Sequence, residues 1–335
     1  MNYRRLGRSG LMVSELALGT MIFGERTDRG VSETDALRLI DAYRDAGGNH
    51  IDVADVYAGG RAEEIVGKAL KGKRAGAIVA SKLRWPMGKD VNDVGLSRHH
   101  VMDAAHASLR RLGIETIDIL YVHGWDALTP LEETLGALDD LVSAGKARYV
   151  GVSNFLAWQA MKALGISERN GWARFVAGQY QYSLAVRDLE ADFANFWDSE
   201  GVGLVPWAPL GGGFLTGKYS RDKRPSSDTG RIGSTPDAWE ESWARRDTER
   251  NWQTLAAVRR IAAVHGATPA QVSIAWALAQ PGVSSVVVGA KTPEQLADNL
   301  GAAALRLSSE QLEELTDVSK PTSSYPSRSV NVFGR

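Results

Sequence analysis

Short runs rich in β-branched and apolar residues alternate with longer stretches of helical spacing along this chain, and the alternation recurs eight times. The extended runs lie at residues 15–18, 50–53, 77–81, 117–122, 149–152, 175–179, 203–206 and 285–288. Helical spacing fills residues 33–46, 63–70, 99–112, 131–143, 156–164 and 189–199, and a further helix begins near Glu249. Gly47-Gly48 supplies a stop signal to the first of these and Thr129-Pro130 a start signal to the fourth, because glycine adopts the left-handed C-terminal conformation and proline suits a first helical turn. Strands that alternate with helices of about 10–15 residues predict βαβ units and a parallel sheet. Eight such units with no break in composition favour a closed (β/α)8 TIM barrel of the α/β class. An open doubly wound sheet is disfavoured, since no strand leads into a G-x-G-x-x-G turn that opens a helix. Residues 1–335 are therefore read as a single barrel domain.

Two segments depart from the alternation. Residues 1–13 hold a Gly7-Arg8-Ser9-Gly10 turn between two short extended runs, which predicts an N-terminal β-hairpin closing the bottom of the barrel. Residues 218–248 are rich in Arg, Ser, Asp and Gly, and a loop of that length reads as a lid or binding loop. The tail, residues 319–335 with Pro321, Ser323, Ser324 and Pro326, reads as irregular chain over a barrel mouth or as a frayed end. A formal net charge of −1 gives no long-range field to draw in nucleic acid or an anionic membrane. The chain has no Cys, which excludes disulfides, thiolate metal sites and a Cys nucleophile. That composition fits a reducing cytoplasm. The N-terminus lacks the apolar core of a signal peptide, and no apolar run approaches the roughly 20 residues of a membrane span.

In a (β/α)8 barrel the reactive groups stand at the C-terminal ends of the strands. Asp52 and Tyr57 follow the second strand, Lys82 ends the third, and His123 ends the fourth. These strands are neighbours, so the four groups converge on one side of one barrel mouth. A free phenol titrates near pH ~10, too high for easy proton transfer at neutrality. A nearby ammonium lowers that value, and a carboxylate keeps the ammonium charged despite burial. An imidazole beside them donates to the substrate oxygen and fixes its orientation. Together they suit protonation of a carbonyl oxygen while hydride reaches the carbonyl carbon. Taken singly each has a plain alternative: a solvated Lys, a structural His, a turn-capping Asp, a rim Tyr. Trp85 and Trp125, just beyond strand ends, are candidates for substrate contact.

The motifs Tyr3-Arg4-Arg5-Leu6-Gly7-Arg8-Ser9-Gly10-Leu11, Leu18-Gly19-Thr20, Ile51-Asp52…Ala54-Asp55…Tyr57 and Gly151-Val152-Ser153-Asn154-Phe155 resemble the aldo-keto reductase superfamily. So do Gln179-Tyr180-Gln181-Tyr182-Ser183-Leu184, the block Trp207-Ala208-Pro209-Leu210 through Gly217-Lys218, and Gly289-Ala290-Lys291-Thr292…Gln295…Asn299. The resemblance runs in order over essentially the whole chain and is nearer to the bacterial and potassium-channel β-subunit branches than to the mammalian aldose-reductase branch. It implies Tyr57 as general acid, tuned by Lys82 and Asp52, with His123 orienting the carbonyl. It implies NADPH/NADP+ as cofactor, with contacts at Gly19, Thr20, Met21 and Asp52. Ser153, Asn154 and Gln179 would hold the carboxamide and Trp207, where the family more often has Tyr, would stack on the nicotinamide. Ala208, Pro209, Leu210, Gly211 and Gly212 would hold the pyrophosphate together with Lys218 and Arg231. Gly289, Lys291, Gln295, Asp298 and Asn299 would take the adenosine end. Val53 stands where the family commonly has Thr, Ala58 where it commonly has Gly, and Gly124-Trp125-Asp126 follows His123. These departures bear on the substrate, a small-molecule carbonyl compound, rather than on turnover.

The adenosine segment also has a physical basis. Thr292-Pro293-Glu294-Gln295 reads as an N-cap, a first-turn proline and a capping-box partner, and a helix N-terminus beside Lys291 suits a phosphate. With Lys218 as a second cation, NADPH is favoured over NADH. Gly212 to Lys218 also matches G-x-x-x-x-G-K, but Tyr219 stands where a nucleotide triphosphatase needs Ser or Thr for magnesium. The six His residues show no H-x-H or H-E-x-x-H spacing, so no metal site is read. A non-catalytic, cofactor-binding regulatory subunit is the remaining alternative.

Overall fold

A computed structural model describes the chain except for residues 26–29, 222, 227–228, 323–324, 326–327 and 330–335. Strands β1 (Tyr3–Arg5) and β2 (Met12–Ser14) form an antiparallel hairpin that pairs Tyr3 with Ser14. The eight parallel strands that follow are β3 (Leu16–Gly19), β4 (His50–Asp52), β5 (Ile78–Leu83), β6 (Ile117–Val122), β7 (Ala147–Ser153), β8 (Phe175–Gln181), β9 (Gly203–Trp207) and β10 (Val286–Val288). They run side by side in the order β10-β3-β4-β5-β6-β7-β8-β9. The ring closes just before β10, where Leu204 bridges Val283 and accepts a 2.8 Å hydrogen bond from the Ser284 amide. Alternating helices cover the outside, as the eightfold pattern predicts.

Side chains alternate across a strand with a period of two. One set, including Leu16, Leu18, Ile51, Val79 and Val150, packs outward in the large core beneath the helices. The other set fills the barrel: Ala17, Ala80, Ile119, Tyr121, Ala177, Val205 and Val287. Leu6 and Val13 of the hairpin belong to this inner cluster and are fully buried, so the hairpin plugs the N-terminal end of the strands. Gly7 makes that seat possible at φ +56, since an added Cβ would meet the Gly201 carbonyl oxygen at 2.3 Å. In the middle of the barrel the Tyr121 ring fills the space beside Gly151, where a Cβ would lie 2.4 Å from it.

Helix ends follow local chemistry. Ser32, Ser97, Thr248, Thr268, Thr292 and Ser308 each accept a backbone amide at an N-cap. Two irregular stretches differ from the sequence pattern. Residues 189–199 form two short helices, Leu189–Asp192 and Phe196–Glu200, with Asn195 at φ +60 between them. The break lets Phe193 stack on Trp197 at 5.0 Å with Tyr180 against both, and that packing outweighs the helical spacing. Within residues 218–248 stand the short helices Gly230–Ser234 and Trp243–Arg246, and Trp243 of the second packs among Phe214, Tyr219 and Trp252. In the tail, Ser319 is buried and accepts a 2.8 Å hydrogen bond from Arg187. Ser323, Ser324 and Pro326 lie outside the described residues.

Candidate active site

Inward alternation extends one step past the inner cluster. From Ala17, Ala80, Tyr121, Ala177, Val205 and Val287, two residues onward are Gly19, Lys82, His123, Gln179, Trp207 and Gly289. Parallel register aligns them, with Gly19 opposite Asp52, Lys82 opposite Tyr121 and Ser153 opposite Gln179. The candidate residues thus form one layer at the C-terminal mouth, opposite the hairpin.

Asp52 is the hub of that layer. Its Oδ2 accepts from Lys82 Nζ at 2.7 Å, and its Oδ1 accepts from Gln179 Nε2 at 2.6 Å across the barrel. The fully buried Lys82 ammonium spends its other protons on the Val53 carbonyl at 2.9 Å and Tyr57 Oη at 3.1 Å. Burial opposes its charge, but Asp52 and Tyr57 outweigh that and hold it above its ordinary value. Tyr57 itself departs from the sequence expectation. Burial pushes its phenol above the ordinary value, and the pull of Lys82 offsets this only in part. The phenol therefore keeps its proton at neutral pH, as a general acid must.

Tyr57 starts a tight turn, Tyr57–Gly60, in which Ala58, Gly59 and Gly60 are all left-handed. Ala58 at φ +49 costs roughly 1–2 kcal/mol that glycine would avoid. The His123 ring meets the Tyr57 ring edge-on at 5.9 Å. Its Nδ1 is buried without a hydrogen-bond partner among the described residues. Burial, with the charges of Lys82 and Arg84, holds the imidazole well below its ordinary pKa, so it is neutral.

The remaining candidates divide. Thr20 donates to the Asp52 carbonyl at 2.9 Å, and Ser153 donates to the Gln179 carbonyl at 2.7 Å. Asn154, left-handed at φ +57, donates to the His123 carbonyl and to Ser153 Oγ at 3.0 Å each. These three and Gln179 tie the strand ends together. Trp207 ends β9 half-buried, followed by Ala208 at φ +52 and then Pro209 and Leu210. Gly211, Gly212 and Gly213 are left-handed in turn, and a Cβ on Gly212 would meet Ile232 at 2.9 Å. A Cβ on Gly213 would lie 3.0 Å from the Lys218 side chain, so the glycines let the backbone pass close beside that residue. Although Lys218 reaches solvent, protein crowding and the like charge of Lys291 draw its ammonium below its ordinary value. Lys218, Lys291 and the glycine turn are the groups here that could hold a dinucleotide phosphate. Arg231 contacts Met21 Sδ at 3.6 Å and pairs with Glu241. Gln295 accepts from the Lys291 amide at 2.9 Å, and Asn299 donates to the Gly289 carbonyl at 3.1 Å. Both oxygens of Asp298 accept from Thr268, the N-cap of helix Pro269–Leu278.

Of the two aromatic candidates, Trp85 meets His123 edge-on at 6.1 Å, while Trp125 packs on Phe155 at 5.0 Å and Trp158 at 5.9 Å. Sequence reasoning missed Arg84, which joins them. Its guanidinium lies 4.1 Å from the Trp85 ring centroid and donates through Nε and Nη2 to the Trp125 carbonyl at 3.2 and 3.0 Å. Its φ of +148 falls where a residue with a Cβ bears strain on the order of 1–3 kcal/mol. No local sequence signal announces such a conformation.

Comparison with known families places the chain as a whole. Residues 15–320 match the model of the aldo/keto reductase family, and the chain belongs to that family. Its members are typically NAD(P)H-dependent oxidoreductases. Similar proteins include a probable voltage-gated potassium channel subunit beta of Oryza sativa subsp. japonica, 38% identical over 90% of this chain and 91% of the relative. A protein of the same description from Arabidopsis thaliana is 36% identical over the same shares. Versiconal hemiacetal acetate reductase of Aspergillus parasiticus is 34% identical over 97% of this chain and 99% of its own length. No helix among the described residues is long and apolar enough to cross a membrane.

Proposed function

We propose that the protein is an NADPH-dependent carbonyl reductase, one domain over residues 1–335, that converts an aldehyde or ketone to the alcohol in the cytoplasm. One observation carries this: Asp52, Lys82 and Tyr57 form a continuous relay with contacts of 2.7 and 3.1 Å, and the His123 ring meets the Tyr57 ring edge-on at 5.9 Å. When bound, the nicotinamide cofactor supplies hydride. Tyr57 holds a proton at Oη and delivers it to the carbonyl oxygen as negative charge develops there. Lys82, fixed by Asp52 and the Val53 carbonyl, stabilises the phenolate left behind. Neutral His123 donates a hydrogen bond to the same oxygen and orients it. Gln179 holds Asp52 from across the barrel, which fixes the carboxylate that anchors Lys82. Trp207 and residues 208–212, with Lys218 and Arg231, would seat the nicotinamide and pyrophosphate. Lys291, Gln295 and Asn299 would take the 2′-phosphate and adenine.

Tyr57→Phe removes the proton donor and no residue assigned to the cofactor. Steady-state NADPH oxidation over a panel of aldehydes and ketones should fall by about 10²–10⁴-fold, while NADPH affinity from fluorescence titration stays within about twofold. Retained turnover in that variant overturns the assignment. The names of the two plant relatives favour a second reading, a cofactor-holding regulatory subunit. Well-folded wild-type protein that binds NADPH and oxidises it with no carbonyl compound would favour that reading.

A further inference from the structure

We infer that Arg84 is a specificity-determining positioning residue that builds a rigid aromatic wall for carbonyl compounds with a flat, multi-ring aromatic body. The inference rests on the carbonyl-reductase reading and names its substrate class. Arg84 connects two loops that diverge after neighbouring strands, the one after β5 that carries Trp85 and the one after β6 that carries Trp125. Its guanidinium covers one indole and holds the other residue's carbonyl with a two-pronged donor pair. Its own carbonyl accepts from Gly95 at 2.8 Å, which ties the far end of the first loop to the same point. A residue with a Cβ persists in strained backbone only where its surroundings over-determine it. Here three contacts do so, and what they fix is the position of two tryptophans.

The wall begins at the reacting centre. Trp85 stands 6.1 Å from His123 yet stays 37% exposed, and Trp125 continues through its edge contact to Trp158, which is 57% exposed. Indoles held rigid and left partly bare present flat apolar area, which a planar ring system covers by stacking at little entropic cost. A short aliphatic carbonyl would reach His123 without touching most of it. Two donor atoms and one face of Arg84 are spent on holding this wall. Nε and Nη2 are committed to the Trp125 carbonyl and its face to Trp85.

The test compares wild type, Arg84→Met and Arg84→Lys with 2-naphthaldehyde and propanal, and measures 2-naphthylmethanol binding to the NADP+-loaded protein by calorimetry. Arg84→Met is expected to raise KM for 2-naphthaldehyde about tenfold with kcat changed less than about threefold, and to weaken 2-naphthylmethanol about tenfold. The propanal KM should move less than about threefold. Arg84→Lys keeps the charge but not the planar fork, so it should recover less than half of the loss. Equal losses on both aldehydes, a wild-type naphthyl affinity in Arg84→Met, or full rescue by Lys each overturn the proposal. Absence of turnover with either aldehyde in wild type would sink the reductase reading alone, because the calorimetric comparison still decides the role of Arg84.

Discussion

Asp55 lies between the two residues most closely tied to proton transfer, and it is fully buried. Neither of its oxygens makes a well-formed hydrogen bond among the described residues, although the Val56 amide lies near enough to favour the charged form. Burial, reinforced by the charge of Glu63, pushes its carboxyl up to about 7, with Arg111 and Lys82 opposing. The folded protein therefore holds a proton between pH 3.8 and about 7 that the unfolded chain has shed. Stability from this group is complete below the unfolded value and is lost as pH rises through the folded one, by at most about 4 kcal/mol. His50 works in the opposite sense. Burial holds it at about 4 against an ordinary 6.5, so its contribution is lost as pH falls through that range. Asp55→Asn should therefore flatten the decline above pH 5 and unmask the rise due to His50. Urea unfolding at pH 5 and pH 8 checks this: wild type should lose at least about 2 kcal/mol more than the variant between the two. Equal slopes would mean that Asp55 is ionised and compensated in the fold.

At the scale of elements, the phosphate end joins the glycine turn at residues 211–217 to helix Pro293–Gly301. The helix N-terminus is capped by Thr292, whose oxygen accepts from the Gln295 amide, and Lys291 sits just before it. Burial and, after it, the charge of Lys291 draw Lys218 below its ordinary value, and a bound phosphate would offset both. Lys291→Ala and Lys218→Ala should each weaken NADPH about tenfold while changing NADH less than about threefold. The gap should narrow at 1 M salt, where the screening length is only about 3 Å. Fluorescence titration of both nucleotides at low and high salt measures it, and equal effects on the two would remove the 2′-phosphate from this site. This helix start was legible in the sequence because capping is local: Thr292 and Pro293 are enough, while the Gln295 side chain accepts from the Lys291 amide instead of closing a capping box. The eight strands were legible for a similar reason, since each is a short β-branched run between turn signals. The split at Asn195 was not, because it depends on Phe193 and Trp197 meeting Tyr180 from another strand. The strained Arg84 and the bond from Gln179 to Asp52 were hidden likewise, the latter joining residues 127 positions apart. The bond from Thr268 to Asp298, 30 positions on, was hidden in the same way.

For the whole molecule, the barrel has two chemically different ends. The inner cluster of Ala17, Ala80, Ile119, Tyr121, Ala177, Val205 and Val287 separates the hairpin from the mouth layer. Leu6 and Val13 press on that cluster from below, while Asp52, Lys82 and His123 stand above it. Stability and reactivity should therefore be separable. Leu6 is completely buried and among the larger residues so enclosed, and the cavity left by Leu6→Ala cannot refill easily because Gly7 is locked against Gly201 and Gly203. Unfolding free energy from urea titration should drop by about 2–5 kcal/mol, the range of buried Leu→Ala changes. The relay is tied instead by bonds among Asp52, Lys82, Tyr57 and Gln179, none of which involves the hairpin. Below the unfolding transition, kcat and NADPH affinity of Leu6→Ala should therefore stay within about twofold of wild type. Loss of turnover without loss of stability would show that the inner cluster transmits the position of the hairpin to Lys82, and that the two ends act as one unit.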